Sequence, residues 1–266
     1  MDQPILSTNF RTTTWVLMGG IFFQLLSLVL TPRIAILLCT AVLLFRFVPT
    51  VLISTGRIPN PEMGNVDVRK NTVMFPNSDG SSRPNPSGQG IALLILGIKI
   101  NHPLGFFAPN AKEAGEFFTS MVAELNNNKT KYGFLSGSMI SGQPNDSISE
   151  RGHFSIIGYF KTVQHLHDFA HGPLHRDAWN WWNKNAKDMP HLGIYHEIYD
   201  VPKHSWEAVY VHCPPIGLAQ AQLEVGDKDG NKEFKSLITD ARKGIWRSSA
   251  GRMGRQEGKI HETESY

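Results

Sequence analysis

A chain of 266 residues with 41% hydrophobic residues has enough apolar material for one large domain or two small ones. Its formal charge is only +3, and the 26 basic residues are not gathered into a stripe interleaved with aromatics, which argues against a nucleic-acid partner. The two cysteines, Cys39 in an apolar run and Cys213 beside Pro214, supply neither a disulfide framework nor a thiolate metal site and fit a reducing compartment.

From Trp15 to Leu30 every residue is apolar or small except Gln24; Thr31-Pro32-Arg33 interrupts, and the run resumes from Ile34. About 20 helical residues span a bilayer core, so Thr12 to Leu30 and Ile34 to Ile53 can each just reach, and residues 1–56 read as a membrane hairpin. A signal peptide is the rival, but a second apolar run at once after the first does not suit it. Arg46 is costly near mid-membrane; it can snorkel to the interface, or the hairpin can be a shallow re-entrant insertion, and both stay open. Arg11 precedes the hairpin and Arg57, Arg69 and Lys70 follow it, while the turn carries only Arg33. By that bias both flanks stay cytosolic, on an endoplasmic-reticulum-type membrane. The sequons at Asn128 and Asn145 then never meet the lumenal glycosylation machinery.

Residues 57–90 are rich in Pro, Gly, Asn and Ser and read as a linker or wrapping arm. The globular domain is expected over 91–233. IALLILGIKI from Ile91 suits a strand buried on both faces. A helix follows from Ala111 to about Leu125 with Ala114, Phe117, Phe118, Met121, Val122 and Leu125 as its apolar stripe. A short strand is expected near 135–140, then a loop from Gly142, then a strand from His153 to Lys161. On the latter, Phe154, Ile156, Gly158 and Phe160 share one face, and His153, Ser155, Ile157 and Tyr159 form a mixed face that needs a partner surface or a pocket. A helical region over 162–187 breaks at Gly172-Pro173, and two closing strands lie near 193–201 and 206–212. The order predicts an α+β fold, a ferredoxin-like βαββαβ domain that pairs its sheet across a dimer into a barrel. The basic segment 234–266 reads as a solvated, flexible tail.

Nine of the eleven histidines fall between His153 and His212, the centre of the cluster reading HDFAHGPLHRDAWNWW. His175, Trp179 and Trp182 lie at i, i+4 and i+7 on one helix face, with Arg176 beside the stripe. An imidazole backed by two indoles can exchange a proton with a bulky apolar substrate or serve as an axial ligand to haem; alternatively, the indoles simply pack the helix on the sheet. His171 and His175 have zinc-motif spacing, but the Gly172-Pro173 break and the missing glutamate disfavour zinc, and no metal is expected. His196 points with Ile194 and Ile198 while Glu197 points with Tyr195 and Tyr199, so at most one of that pair faces a pocket. On the last strand Trp206, Ala208, Tyr210 and His212 share a face, and Glu207 among valines is either paired with a cation or raised in pKa. No P-loop, Rossmann glycine pattern or nucleophile elbow advertises a nucleotide or acyl-transfer site.

FAHGPLHRDAWNWW from Phe169, GIYHEIYDVP from Gly193 and WEAVYVHCPPIGL from Trp206 resemble the fungal membrane-linked monooxygenase family typified by the antibiotic-biosynthesis-type monooxygenase of fumagillin assembly. The resemblance runs from about Ile91 to Leu218, with a similar apolar N-terminal hairpin. It implies a dimeric ferredoxin-like barrel and a role in tailoring fungal secondary metabolites, often terpenoids or polyketides. The superfamily includes cofactor-free oxygenases, haem-binding dehydratases and enzymes that only cyclise or isomerise. Positions carried over are His175, Trp179, His196, Glu197, Glu207 and Tyr210. The expectation is thus a membrane-associated monooxygenase for a lipophilic small molecule, needing no cofactor, with haem use an open alternative. His175, His196, Glu197, Glu207 and Tyr210 are the catalytic candidates; Trp179, Trp182, Tyr159, His153 and Arg176 are the substrate-binding candidates. The runner-up is a redox-neutral cyclase on the same fold, and the third reading a non-catalytic lipophilic-ligand-binding adaptor.

Overall fold

The computed structural model describes residues 9–77, 79–81, 87–141, 152–226 and 232–255. Two compact units divide the chain. The first holds two helices, α1 (Thr12–Val29) and α2 (Pro32–Ser54), joined by Leu30 and Thr31. Pro32 occupies the first turn of α2, where its missing N–H leaves no bond unmade. Both helices are long and apolar enough to cross a membrane, and along them only Ala35 is buried.

The second unit is built on a four-stranded antiparallel sheet of β2 (Ile91–Ile100), β3 (Phe134–Ser141), β4 (His153–Phe160) and β5 (Leu192–Val201), in the order β3-β4-β2-β5. The helices α3 (Ala111–Asn127), α4 (Val163–Ala170) and α5 (Pro173–Asn185) are its crossovers. Strand, helix, strand, strand, helix, strand with this spatial order is the ferredoxin-like βαββαβ arrangement. The break between α4 and α5 has a local cause. A Cβ on Gly172 would come within 2.9 Å of the Phe169 carbonyl oxygen, so the chain closes up there only on glycine, and Pro173 restarts the helix.

Register decides which side chains meet the helices. Leu94, Leu96 and Ile98 of β2 stand opposite Gly158, Ile156 and Phe154 on one side and Ile198, His196 and Ile194 on the other. These share the face under α3, α4 and α5. The core beneath the helices forms two clusters, one around Ala92, Leu125, Phe134, Phe160 and Phe169, the other around Ile100, Ala108, Ala114, Met189 and Leu192. Each therefore sits at one end of β2, and the middle of the strand lies between them.

Three expectations are corrected. The presumed linker contains strand β1 (Asp67–Val73), with Val73, Met74 and Phe75 buried. β1 is central in a second antiparallel sheet between β6 (Tyr210–Cys213) and β9 (Ile238–Asp240). The expected closing strand over 206–212 is therefore not part of the main sheet: only Tyr210 to Cys213 pair, against β1, and His212 has φ +52°, which breaks the alternation of Trp206, Ala208, Tyr210 and His212. The basic segment is ordered over 232–255, where a hairpin of β7 (Gln222–Gly226) with β8 (Lys232–Ser236) leads into β9 and the short helix α6 (Ser249–Arg252). Its anchor is an ion pair. Arg252 Nε meets Glu207 Oε2 at 2.7 Å with the arginine side chain only 3% exposed, and its Nη1 donates to the Trp246 and Arg247 carbonyls. Residues 256–266 of the expected tail lie outside the described residues. The second sheet, Trp206 and Leu218 pack against Ile91, Leu135 and Tyr159 of the main sheet.

Candidate active site

Between the two core clusters the space under the helices is hollow, a cavity of about 340 Å³. Its floor is Leu94, Leu96 and Ile98 with Ile156, Phe160, Ile194 and Ile198; its roof is Phe117, Phe118 and Met121 of α3, Phe169 of α4, and the tryptophans of α5. Among the described residues, three imidazoles, His167, His175 and His196, are the only titratable groups in this lining.

Each imidazole is delivered by a different element. His167 is on α4, whose N-cap Thr162 accepts from His165 N–H. His175 stands in the first turn of α5, its ring 6.0 Å from that of Phe169 in an edge-on arrangement. His196 comes from β5, opposite Leu96. Burial pushes the His175 pKa below the ordinary histidine value, and nearby His196 adds to this; the Ala170 carbonyl, accepting a hydrogen bond from the ring, works against it. Burial thus favours the neutral form of His175, whose ring donates one hydrogen bond to backbone. Trp181 packs on Phe117 at 5.4 Å and on Trp182 at 6.4 Å, so the roof is aromatic and closely joined. Such a chamber suits an apolar molecule that exchanges a proton with an imidazole. Among the described residues no group of three or more His, Cys, Asp or Glu is placed to hold a metal ion. His167, His175 and His196 are the side chains that could supply a nitrogen ligand to a cofactor, were one bound.

The family described as monooxygenase af470-like matches residues 91–218, which include every element around the cavity. Monooxygenase af470 of Aspergillus fumigatus is 32% identical over 254 residues, covering 95% of this chain and 90% of that protein. The chain belongs to the monooxygenase af470-like family. It is accordingly an enzyme of the monooxygenase type, and the N-terminal helices lie within the aligned length. Among solved structures, aldoxime dehydratase is similar at a TM-score of 0.42 with 16% identity over 59% of this chain; the match spans 45% of that enzyme's own length. SnoaB, a cofactor-independent oxygenase from Streptomyces nogalater, is similar at a TM-score of 0.26 with 10% identity, covering 41% of this chain and 90% of that one.

Within this member of the family, four of the ten residues singled out from sequence meet at the cavity: His175, Trp179, Trp182 and His196. His153, Tyr159 and Glu197 belong to the opposite face of the sheet, as alternation requires. There His153 Nε2 bonds the Tyr195 hydroxyl at 2.7 Å, and the Tyr199 hydroxyl donates to Glu197 Oε2 at 2.6 Å. Arg176 Nη2 donates to the His171 carbonyl at 3.0 Å and closes the end of α4. Glu207 is held by Arg252 and by Ser249 Oγ at 2.8 Å, which answers the sequence alternative in favour of a cation partner. Tyr210 packs with the second sheet, where burial pushes its phenol up to about 12. His167 and Trp181 were missed. The signal for His167 was present: Val163, His167 and Ala170 follow one another at i, i+4 and i+7, the spacing that marked His175 on the next helix.

Proposed function

We propose that this enzyme is a membrane-associated monooxygenase that oxidises a lipophilic small molecule inside the cavity, with His175 as proton acceptor. The observation that carries this reading is an apolar lining whose only titratable groups among the described residues are three imidazoles, one of them pushed toward its neutral form by burial. A neutral His175 takes a proton from an acidic C–H or O–H of the substrate. The resulting anion, paired with the imidazolium formed at His175, is electron-rich enough to give an electron to dioxygen. The substrate supplies two electrons and two protons; one oxygen atom enters the product and the other leaves as water. His196, on the facing wall, donates a hydrogen bond to the oxygen being placed, while Trp181 and Trp182 hold the substrate by shape.

The two apolar helices support attachment to an endoplasmic-reticulum-type membrane with the catalytic unit on the cytosolic side, where a lipophilic terpenoid or polyketide intermediate would partition. Membership in a family with an Aspergillus fumigatus relative supports a place in fungal secondary metabolism. A homodimer, formed through the exposed outer face of β5, completes the reading.

The test is to supply candidate intermediates to microsomes containing the full chain, under labelled oxygen gas and under nitrogen, and to weigh the products. One labelled oxygen atom per product, made by protein without a Soret band, is the expected result. Turnover under nitrogen to a product of unchanged mass would replace this reading by a redox-neutral cyclase. A Soret band abolished by His175→Ala would replace it by a haem enzyme.

A further inference from the structure

The cavity is not closed evenly. Its lining residues on β2, β4 and α3 are buried or half-buried, whereas those that reach solvent are His167 on α4, Trp179 on α5, and Ile194, His196 and Ile198 on β5. All five border the gap between the edge strand and the paired helices, so the opening is a slot along β5. Trp179 is 55% exposed although it lines the cavity, and Ile194 and Ile198 across the slot are 44% and 37% exposed. An indole left that open at a ligand cavity costs apolar hydration that a packing role would have removed.

The two lips differ in stiffness. β5 is paired with β2 along its whole length, from Leu192 to Val201. On its outer face the Tyr195 ring lies across Gly97, in space that a Cβ at position 97 would occupy, and its hydroxyl reaches His153 on β4 at 2.7 Å. One side chain thus pins the edge strand across β2 to the next strand, directly beside His196. The other lip has no such tie. Among the described residues the Trp179 indole has no hydrogen bond and no ring partner, unlike Trp181, which packs on Phe117. An exposed, untied side chain changes rotamer in picoseconds to nanoseconds, far faster than a lid.

We infer that the slot between α5 and β5 is the entrance to the cavity and that Trp179 is its gate, setting the width of the molecule admitted. This rests on the reading of the cavity as the substrate site, and it assigns Trp179 to selection and not to chemistry. A gate alters the barrier to entry and exit together, whereas a wall residue alters the depth of the bound state.

The test uses the full chain in lipid nanodiscs and three fluorescent phenols of increasing width, 2-naphthol, 9-phenanthrol and 1-hydroxypyrene, with uptake by empty nanodiscs subtracted. Association and dissociation rates are measured by stopped flow for the wild type, Trp179→Ala, Ile194→Trp and the double variant. Trp179→Ala should speed entry of 1-hydroxypyrene on the order of 10-fold and of 2-naphthol by less than about 2-fold, with exit faster by matching factors and Kd nearly unchanged. Ile194→Trp should slow the widest probe, and the double variant should recover it. Equal acceleration of all three probes, a changed Kd with unchanged rates, or no binding by any of the four proteins would overturn the gate. Because binding needs no turnover, the two readings fail separately: width-dependent rates without oxygen incorporation leave the gate standing and remove the monooxygenase mechanism. Turnover with width-independent rates does the reverse.

Discussion

An imidazole walled by hydrocarbon keeps its proton poorly, because the charged form loses its hydration and gains no counter-ion. His175 is in that position, and a second imidazole nearby deepens the effect. The sign of the pH dependence follows. A base works when deprotonated, so a pKa below the ordinary value of about 6.5 places the acid limb of kcat/KM below that pH. His196→Gln removes the like-charge contribution and should move the limb to higher pH, toward the ordinary value. A limb that stays put in this variant would mean that the titrating group is not His175. Replacing His175 by Ala should lower turnover by roughly 100-fold or more, with thermal stability little changed, as for other general bases. Trp182→Phe gives the contrast, since shrinking a half-buried indole removes packing that supports both the fold and the cavity. If rate and stability fall in proportion in all these variants, the cluster is scaffold.

Elements differ in how plainly their residues announce them. β2, α3, β4 and α5 are each long enough for a periodic pattern to repeat, and each runs close to where its pattern places it. His175 and Trp179 were legible for the same reason: their spacing is that of one helix face. The second sheet was not legible. Its strands are Asp67–Val73, Tyr210–Cys213 and Ile238–Asp240, short pieces separated by most of the domain, and no local pattern encodes a pairing between residues 71 and 240. Glu207 shows the same limit, because the cation that explains it lies 45 residues on. Removing one partner of a buried ion pair leaves the other uncompensated, so Glu207→Gln should destabilise the enzyme by roughly 3 kcal/mol. Residues 244–255 should then exchange amide hydrogens with solvent early, while the activity of the remaining folded protein stays within about 2-fold, as for surface changes away from a site. A large loss of kcat in fully folded Glu207→Gln would return this carboxylate to the catalytic candidates.

At the scale of the whole molecule two surfaces call for a partner. One is the outer face of β5, where Tyr195 and Tyr199 stand 37% and 47% exposed beside Glu197. If a second copy covers it, light scattering of solubilised protein should give the mass of two chains, and Tyr199→Arg, which sets two like charges facing across a symmetric contact, should give one. A wild-type protein of single-chain mass at high concentration would end the paired-barrel reading. The other surface is that of α1 and α2, whose large apolar side chains are exposed along their length. Hydration of so much apolar area is unfavourable enough that the chain should resist alkaline extraction from membranes. Which way it faces is a matter of charge. Arg11 lies before the hairpin and Arg57 after it, and only Arg33 lies in the turn, so the catalytic unit should remain in the cytosol. The sequon at Asn128 makes a direct reporter. This residue ends α3, with its side-chain amide donating to the Glu124 carbonyl, and it is exposed, so a transferase that met the nascent chain would find it. Protein made in a eukaryotic cell should keep its gel mobility after glycosidase treatment; a shift abolished by Asn128→Gln would put the catalytic unit in the lumen and reverse the topology.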